Sequence, residues 1–211
     1  MDILDEELLV VEDDLLKTIW TKPTLTFQYL FKFCPDKYVT LLLVLSGIVS
    51  AFERSSKDSH LSPVITFAIA IIIGGLCGRL FGYISSALLS WTGRWLKGTG
   101  TTKEFMTVTA WAMIPSICSL GLVIISMVLT GHVSISLDLT AQDKTSLILP
   151  VLISMGHLAL QFWTLVIFVK GIAVVQNFSI KKATLNLFLP MLIIVVPLVI
   201  LAVLVIQFSG H

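Results

Sequence analysis

LSPVITFAIAIIIGGLCGRLFGYISSALLSWTGRWL, residues 61–96, is apolar over more length than one membrane crossing needs, and Arg79 stands near its middle. A helix covers a hydrocarbon core of about 30 Å with roughly 20 residues. The stretch is therefore either one long crossing helix or two elements, and the choice sets the side on which every later loop lies. One continuous tilted helix buries Arg79 in the membrane. A span ending near Leu80, followed by a surface helix holding Tyr83, Trp91 and Trp95, puts Arg79 near the headgroups.

The surroundings of this stretch settle how often it crosses. Charged residues make up only 13% of the 211-residue chain, about half the roughly 25% of soluble domains. Mean hydropathy is +0.96, and such a chain cannot build a polar shell. Four further apolar segments lie at about 38–52, 105–130, 147–169 and 185–208. The segment Tyr38–Phe52 is short, rising only about 22 Å, so it needs Cys34–Lys37 as an extension or a thinned bilayer. If residues 61–96 cross once, over about 61–91, and the N-terminus is cytoplasmic, ten basic residues fall inside and only Arg54, Lys57 and Lys144 outside. That asymmetry is what membrane insertion selects. A double crossing moves Arg94–Lys103 and Lys170–Lys182 away from the N-terminal lysines, and the bias vanishes. The expected fold is all-α: a polytopic integral membrane protein with five transmembrane helices and an N-terminal interfacial amphipathic helix. The C-terminus then lies on the side opposite the cytoplasm.

The first fourteen residues hold seven of the thirteen acidic ones and read as a solvated tail, 1–14. They lack the basic start and apolar core of a signal peptide, so insertion is expected to rely on the internal spans. Residues 15–33 carry Pro23, suited to a first helical turn, then Phe27, Leu30 and Phe31 at helical spacing, with Lys22 and Lys32 on the polar side. This is the expected interfacial helix, and 15–208 form a single membrane domain. Thr101-Thr102-Lys103-Glu104 is a capping box that opens the next helix. Gly98 and Gly100 upstream can end the preceding one.

Chemistry is sparse. Net charge of +1 gives no pull toward nucleic acid. Cys34, Cys77 and Cys118 have no ligand spacing and read as free thiols. His60, His132, His211, Asp138 and Asp143 are scattered, so no metal site and no cofactor is expected. Every Asp and Glu falls outside the expected spans, against the usual design of proton- or cation-coupled carriers. The intramembrane polar candidates are Arg79, His157 and Gln161. The last two are four apart and share a helix face. They either hydrogen-bond between helices or form, with Arg79, a pocket for an anionic headgroup or small anion. Ala70, Gly74, Gly78, Gly82, Ser86 and Ser90 recur every four residues, a pattern for close helix packing. The row drifts about 40° per step, so it suits two neighbours rather than one. Pro115 and Pro197 lie well inside their segments and are expected to kink them.

Three features taken in order resemble the Yip-domain family, the Ypt/Rab-interacting membrane proteins. They are Pro23-x-x-x-Phe27 before the first span, the basic turn WTGRWLKGTG at 91–100, and TTKEFMTVTAWAMIP at 101–115 with Gly100, Phe105, Ala110 and Pro115 in the family's positions. The resemblance covers about residues 15–207 and implies five spans with a cytoplasmic N-terminus. Eukaryotic members are linked to Rab GTPases and vesicle traffic. The sequence lacks their D-L-Y-G-P motif and is more similar to a bacterial member, which implies the inner membrane and no Rab partner. The function expected is non-enzymatic: a membrane-organising or scaffold role through helix packing, with membrane lipids and a second copy or another membrane protein as partners. The alternative is a small permease or lipid-handling protein using the polar intramembrane region.

Overall fold

A computed structural model describes residues 14–55, 65, 68–130 and 144–209. The rest of the acidic tail, His60, His132, His211, Asp138 and Asp143 lie outside the described residues. Among the described residues every regular element is helical. They are α1 (Leu15–Thr21), α2 (Pro23–Phe33), α3 (Val39–Ser55), α4 (Ala70–Trp95), α5 (Thr102–Ala112), α6 (Ile114–Thr130), α7 (Lys144–Gln176) and α8 (Ile180–Ser209).

Proline chemistry sets two of the boundaries. Lys22 leaves helical backbone, at φ −128° and ψ 58°, because the Pro23 ring disfavours the helical conformation in the residue before it. The stretch 15–33 is therefore two helices, with Pro23 opening the second. Pro115 falls inside the Thr102–Ile125 stretch. Its ring crowds the carbonyl four residues back, at Trp111, and the helix breaks at Met113, whose N–H turns to the Ala110 carbonyl at 3.3 Å. Pro115 thus sits in the first turn of α6. Pro150, Pro190 and Pro197 lie inside continuous helices.

The stretch that opened the question is one helix from Ala70 to Trp95, beginning with a π turn over Ala70–Gly74. No break occurs near Leu80, so Arg79 belongs to the same helix as Trp91 and Trp95. Four helical stretches among the described residues are long and apolar enough to cross a membrane: Ala70–Trp95, Thr102–Ile125, Ile148–Gln176 and Ile180–Leu201. α3 has 17 residues, a rise of about 26 Å. It runs three residues past Phe52, which brings Glu53 and Arg54 into the helix.

The main core gathers at one end of the bundle. Ile19 of α1 and Phe27 and Leu30 of α2 are fully buried with Phe105, Val108 and Trp111 of α5 and Ile167 and Ile172 of α7. The other end holds only a small cluster of Phe52, Ala70 and Val123.

Candidate functional site

Two side-chain constellations and one backbone seam distinguish the bundle. The first lies where α4 and α7 end side by side. Both helices stop in the same way, with one residue in left-handed backbone and a bond from the next N–H to a carbonyl five residues back. In α4 the residue is Lys97, φ 65°, and Gly98 N–H donates to Gly93 O at 2.9 Å. In α7 it is Asn177, φ 53°, and Phe178 N–H donates to Ala173 O at 2.9 Å. The sequence pattern suggested that glycine would supply the turn, but Lys97 takes it. The glycines serve space instead: a Cβ on Gly93 or Gly98 would overlap the Gln176 amide.

Gln176 ties the two ends together. Its Oε1 accepts the Gly100 N–H at 2.9 Å, and the residue is only 2% exposed. Beside it, the Thr92 hydroxyl donates to Asn186 Oδ1 at 3.1 Å, and Ser90 Oγ donates to Gly100 O at 2.8 Å. Gly100 packs under the Phe105 ring, so these two family-pattern residues are in direct contact. The capping box forms in full: Thr101 Oγ1 accepts from Glu104 N–H, and Glu104 Oε2 accepts from Thr101 N–H at 2.8 Å.

The same end clamps the link between α2 and α3. Thr107 Oγ1 donates to Pro35 O at 2.7 Å and Trp111 Nε1 to Lys37 O at 3.0 Å, while Lys103 pairs with Asp36 at 2.7 Å. Phe27 reaches α7 at Gly171, where an added Cβ would meet its ring and Val108 together. Pro23 and Ala110 are buried in their helices.

The seam is the row of small residues on α4. Gly74 and Gly78 lie backbone to backbone against Gly47 of α3, and Gly82 lies under the Leu43 side chain. Further along, Ser86 shares a hydrogen bond of 3.2 Å with Thr109 of α5, and Ser90 reaches Gly100. Ala70, at the opposite end, is buried beside Phe52 and Val123. The row spirals from α3 to α5 within the one chain.

The polar intramembrane candidates separate. Gln161 Nε2 lies 3.4 Å from Ser116 Oγ on α6, and the Nδ1 of His157, one turn away on α7, is buried with no partner among the described residues. Arg79 is exposed on α4, whose main packing partners are α3, α5 and α8. Ser119, one turn beyond Ser116, donates to Glu53 Oε1 of α3 at 3.2 Å. The structure thus joins a carboxylate to the α6 face that Gln161 touches, and leaves Arg79 elsewhere. Among the described residues no group of three His, Cys, Asp or Glu could hold a metal ion.

The ordered turn at 96–101, the Gly100–Phe105 contact and most of the clamped N-terminal helices lie within a single family-model match. The Yip1 domain matches residues 17–202. The chain belongs to the Yip1 domain family. With its apolar helices, that membership makes it an integral, multi-pass membrane protein. No curated protein and no solved structure matches it. Within the Yip1 domain, sequence reasoning missed Gly47, Gly171, Gln176 and Asn186. Gly47 and Ala51 do carry a signal, a small residue every four on α3 that mirrors the row on α4. The amides carry none, because their partners are 76 and 94 residues away.

Proposed function

We infer that this Yip1-domain protein is non-enzymatic and organises the membrane by holding a helical wedge at a fixed angle to its spans. In this reading α3 is a fifth span, its 17 residues matched by local bilayer thinning. The N-terminus is cytoplasmic, as the basic residues favour, and the membrane is a bacterial inner membrane. α1 and α2 lie at the interface with Lys17, Lys22 and Lys32 toward headgroups and solvent.

The observation that carries the reading is how firmly the surface helices are joined to the bundle. Phe27 and Leu30 are fully buried in the same core as Trp111 and Ile172, and the α2–α3 link is held by α5 through three side chains. A free amphipathic helix tilts and exchanges on the surface. One fixed to a bundle takes up area on a single leaflet wherever the bundle goes. Area added to one leaflet bends the bilayer.

Reconstitution into vesicles of phosphatidylethanolamine and phosphatidylglycerol tests this. Mean vesicle diameter, read by electron cryomicroscopy, should fall as the protein-to-lipid ratio rises. Phe27→Ala, which frees α2 from Gly171, should weaken the effect. Diameters independent of protein density would sink the reading.

A further inference from the structure

Between α3 and the first part of α4 lies a cleft of about 540 Å³, within the range of roughly 300–1,000 Å³ typical of small-molecule sites. Leu43, Ile69, Ile73 and Phe81 wall it, and Gly47 and Gly78 line its base with backbone alone. Three of its four lining hydroxyls, on Ser46, Ser85 and Thr109, donate within their own helices. Ser46 Oγ donates to Leu43 O at 2.9 Å and Ser85 Oγ to Gly82 O at 3.1 Å. A guest therefore meets mostly hydrocarbon.

Among the described residues one charged side chain lines the cleft, Arg54, exposed in the last turn of α3. It has no ion-pair partner among the described residues. The lining part of α3 runs from Leu43 to Arg54, a rise of about 16 Å at ~1.5 Å per residue. That is about half of a roughly 30 Å hydrocarbon core, the depth of one leaflet. A planar cation at the mouth suits a phosphate, which a guanidinium binds through paired N–H groups. Apolar walls one leaflet deep suit an acyl chain.

We propose that the α3–α4 cleft binds a glycerophospholipid, with its phosphate on Arg54 and one acyl chain against Ile73 and Phe81. The site does not rest on the wedge reading, since neither α1 nor α2 lines it. None of its lining comes from α6 or α7, where Gln161 meets Ser116.

The test is photolabelling of the full-length protein in vesicles, using phosphatidylglycerol with a diazirine on its acyl chain, followed by peptide mapping. Label should concentrate on the cleft segments of α3 and α4 and fall on competition with unmodified phosphatidylglycerol. Arg54→Gln, an exposed substitution that leaves packing intact, should weaken labelling about ten-fold, the worth of a charge-assisted hydrogen bond. Ser50→Trp, which fills the cleft from an exposed lining position, should abolish it. Label spread evenly over lipid-facing positions such as Leu158 and Met191 would overturn the proposal. So would cleft labelling that is lost in Ser50→Trp but indifferent to Arg54→Gln, since that describes an apolar guest without phosphate recognition. Crosslinks between two copies through the cleft would overturn it as well.

Discussion

At the end of the bundle where α4 and α7 stop, Phe27, Phe105, Trp111, Ile167 and Ile172 are fully buried, and polar side chains bridge elements far apart in sequence. Toward the other end, Phe52, Ala70 and Val123 form a small separate cluster, and α8 turns Met191, Leu192 and Val199 outward. The two regions have opposite fates, and the more apolar one is the more exposed: α6 and α8 are more hydrophobic than α2 and α5. Lipid tails are as apolar as leucine, so burying an aliphatic side chain against another helix gains little over leaving it in the bilayer. What rewards packing there is close backbone approach, as at Gly47 and Gly78, or a polar group that lipid cannot satisfy. Gln176, Asn186 and Thr92 belong to the second kind, and they cluster at the sealed end. Toward the open end the polar ties are fewer, chiefly Glu53 to Ser119 and Gln161 to Ser116, and most of the helix surface is left to lipid.

The contrast can be broken most sharply at Phe27. Its ring fills the space that Gly171 leaves on α7, and truncating a buried Phe costs about 3–5 kcal/mol. Phe27→Ala should lower the thermal transition of the purified protein in detergent more than any change on α8. A shift within error would mean that α2 is only loosely held. Next comes Gln176→Ala. It leaves the Gly100 N–H buried without an acceptor, a cost of about 1–3 kcal/mol. The amides of 96–101 should then exchange hydrogen faster, while those of α6 stay unchanged. Uniform acceleration would argue against a local tie. The smallest effect belongs to the open faces. Leu158→Ala and Met191→Ala, on residues 71% and 61% exposed, should each move stability by no more than about 0.5 kcal/mol. A larger loss in bilayers but not in detergent would reveal a second chain covering those faces.

Residues that explain themselves through near neighbours were legible in the sequence. The capping box at Thr101 and Glu104, Pro23 as a helix opener and the four-residue repeat from Ala70 to Ser90 depend on contacts along the chain, and the structure displays each. The helix ends were less legible. α7 runs seven residues beyond Val169 and α8 starts five before Leu185, because Lys170, Lys181 and Lys182 mark where apolar composition stops rather than where hydrogen bonding stops. At Pro115 the interruption falls at Met113, two residues earlier, a position that the proline alone does not mark.

The sequence by itself determined that this chain lives in a membrane and is helical, since composition and hydropathy act on each segment separately. It also determined that residues 61–96 cannot be a soluble element. Only the tertiary structure decided that Ala70–Trp95 is a single helix, that Glu53 meets Ser119, and that Arg79 stands away from His157 and Gln161. It alone showed that Gly93 and Gly98 make room for an amide rather than a turn. The reason is physical: inside a bilayer, which polar groups meet depends on how backbones approach across long sequence separations, and no local pattern records that.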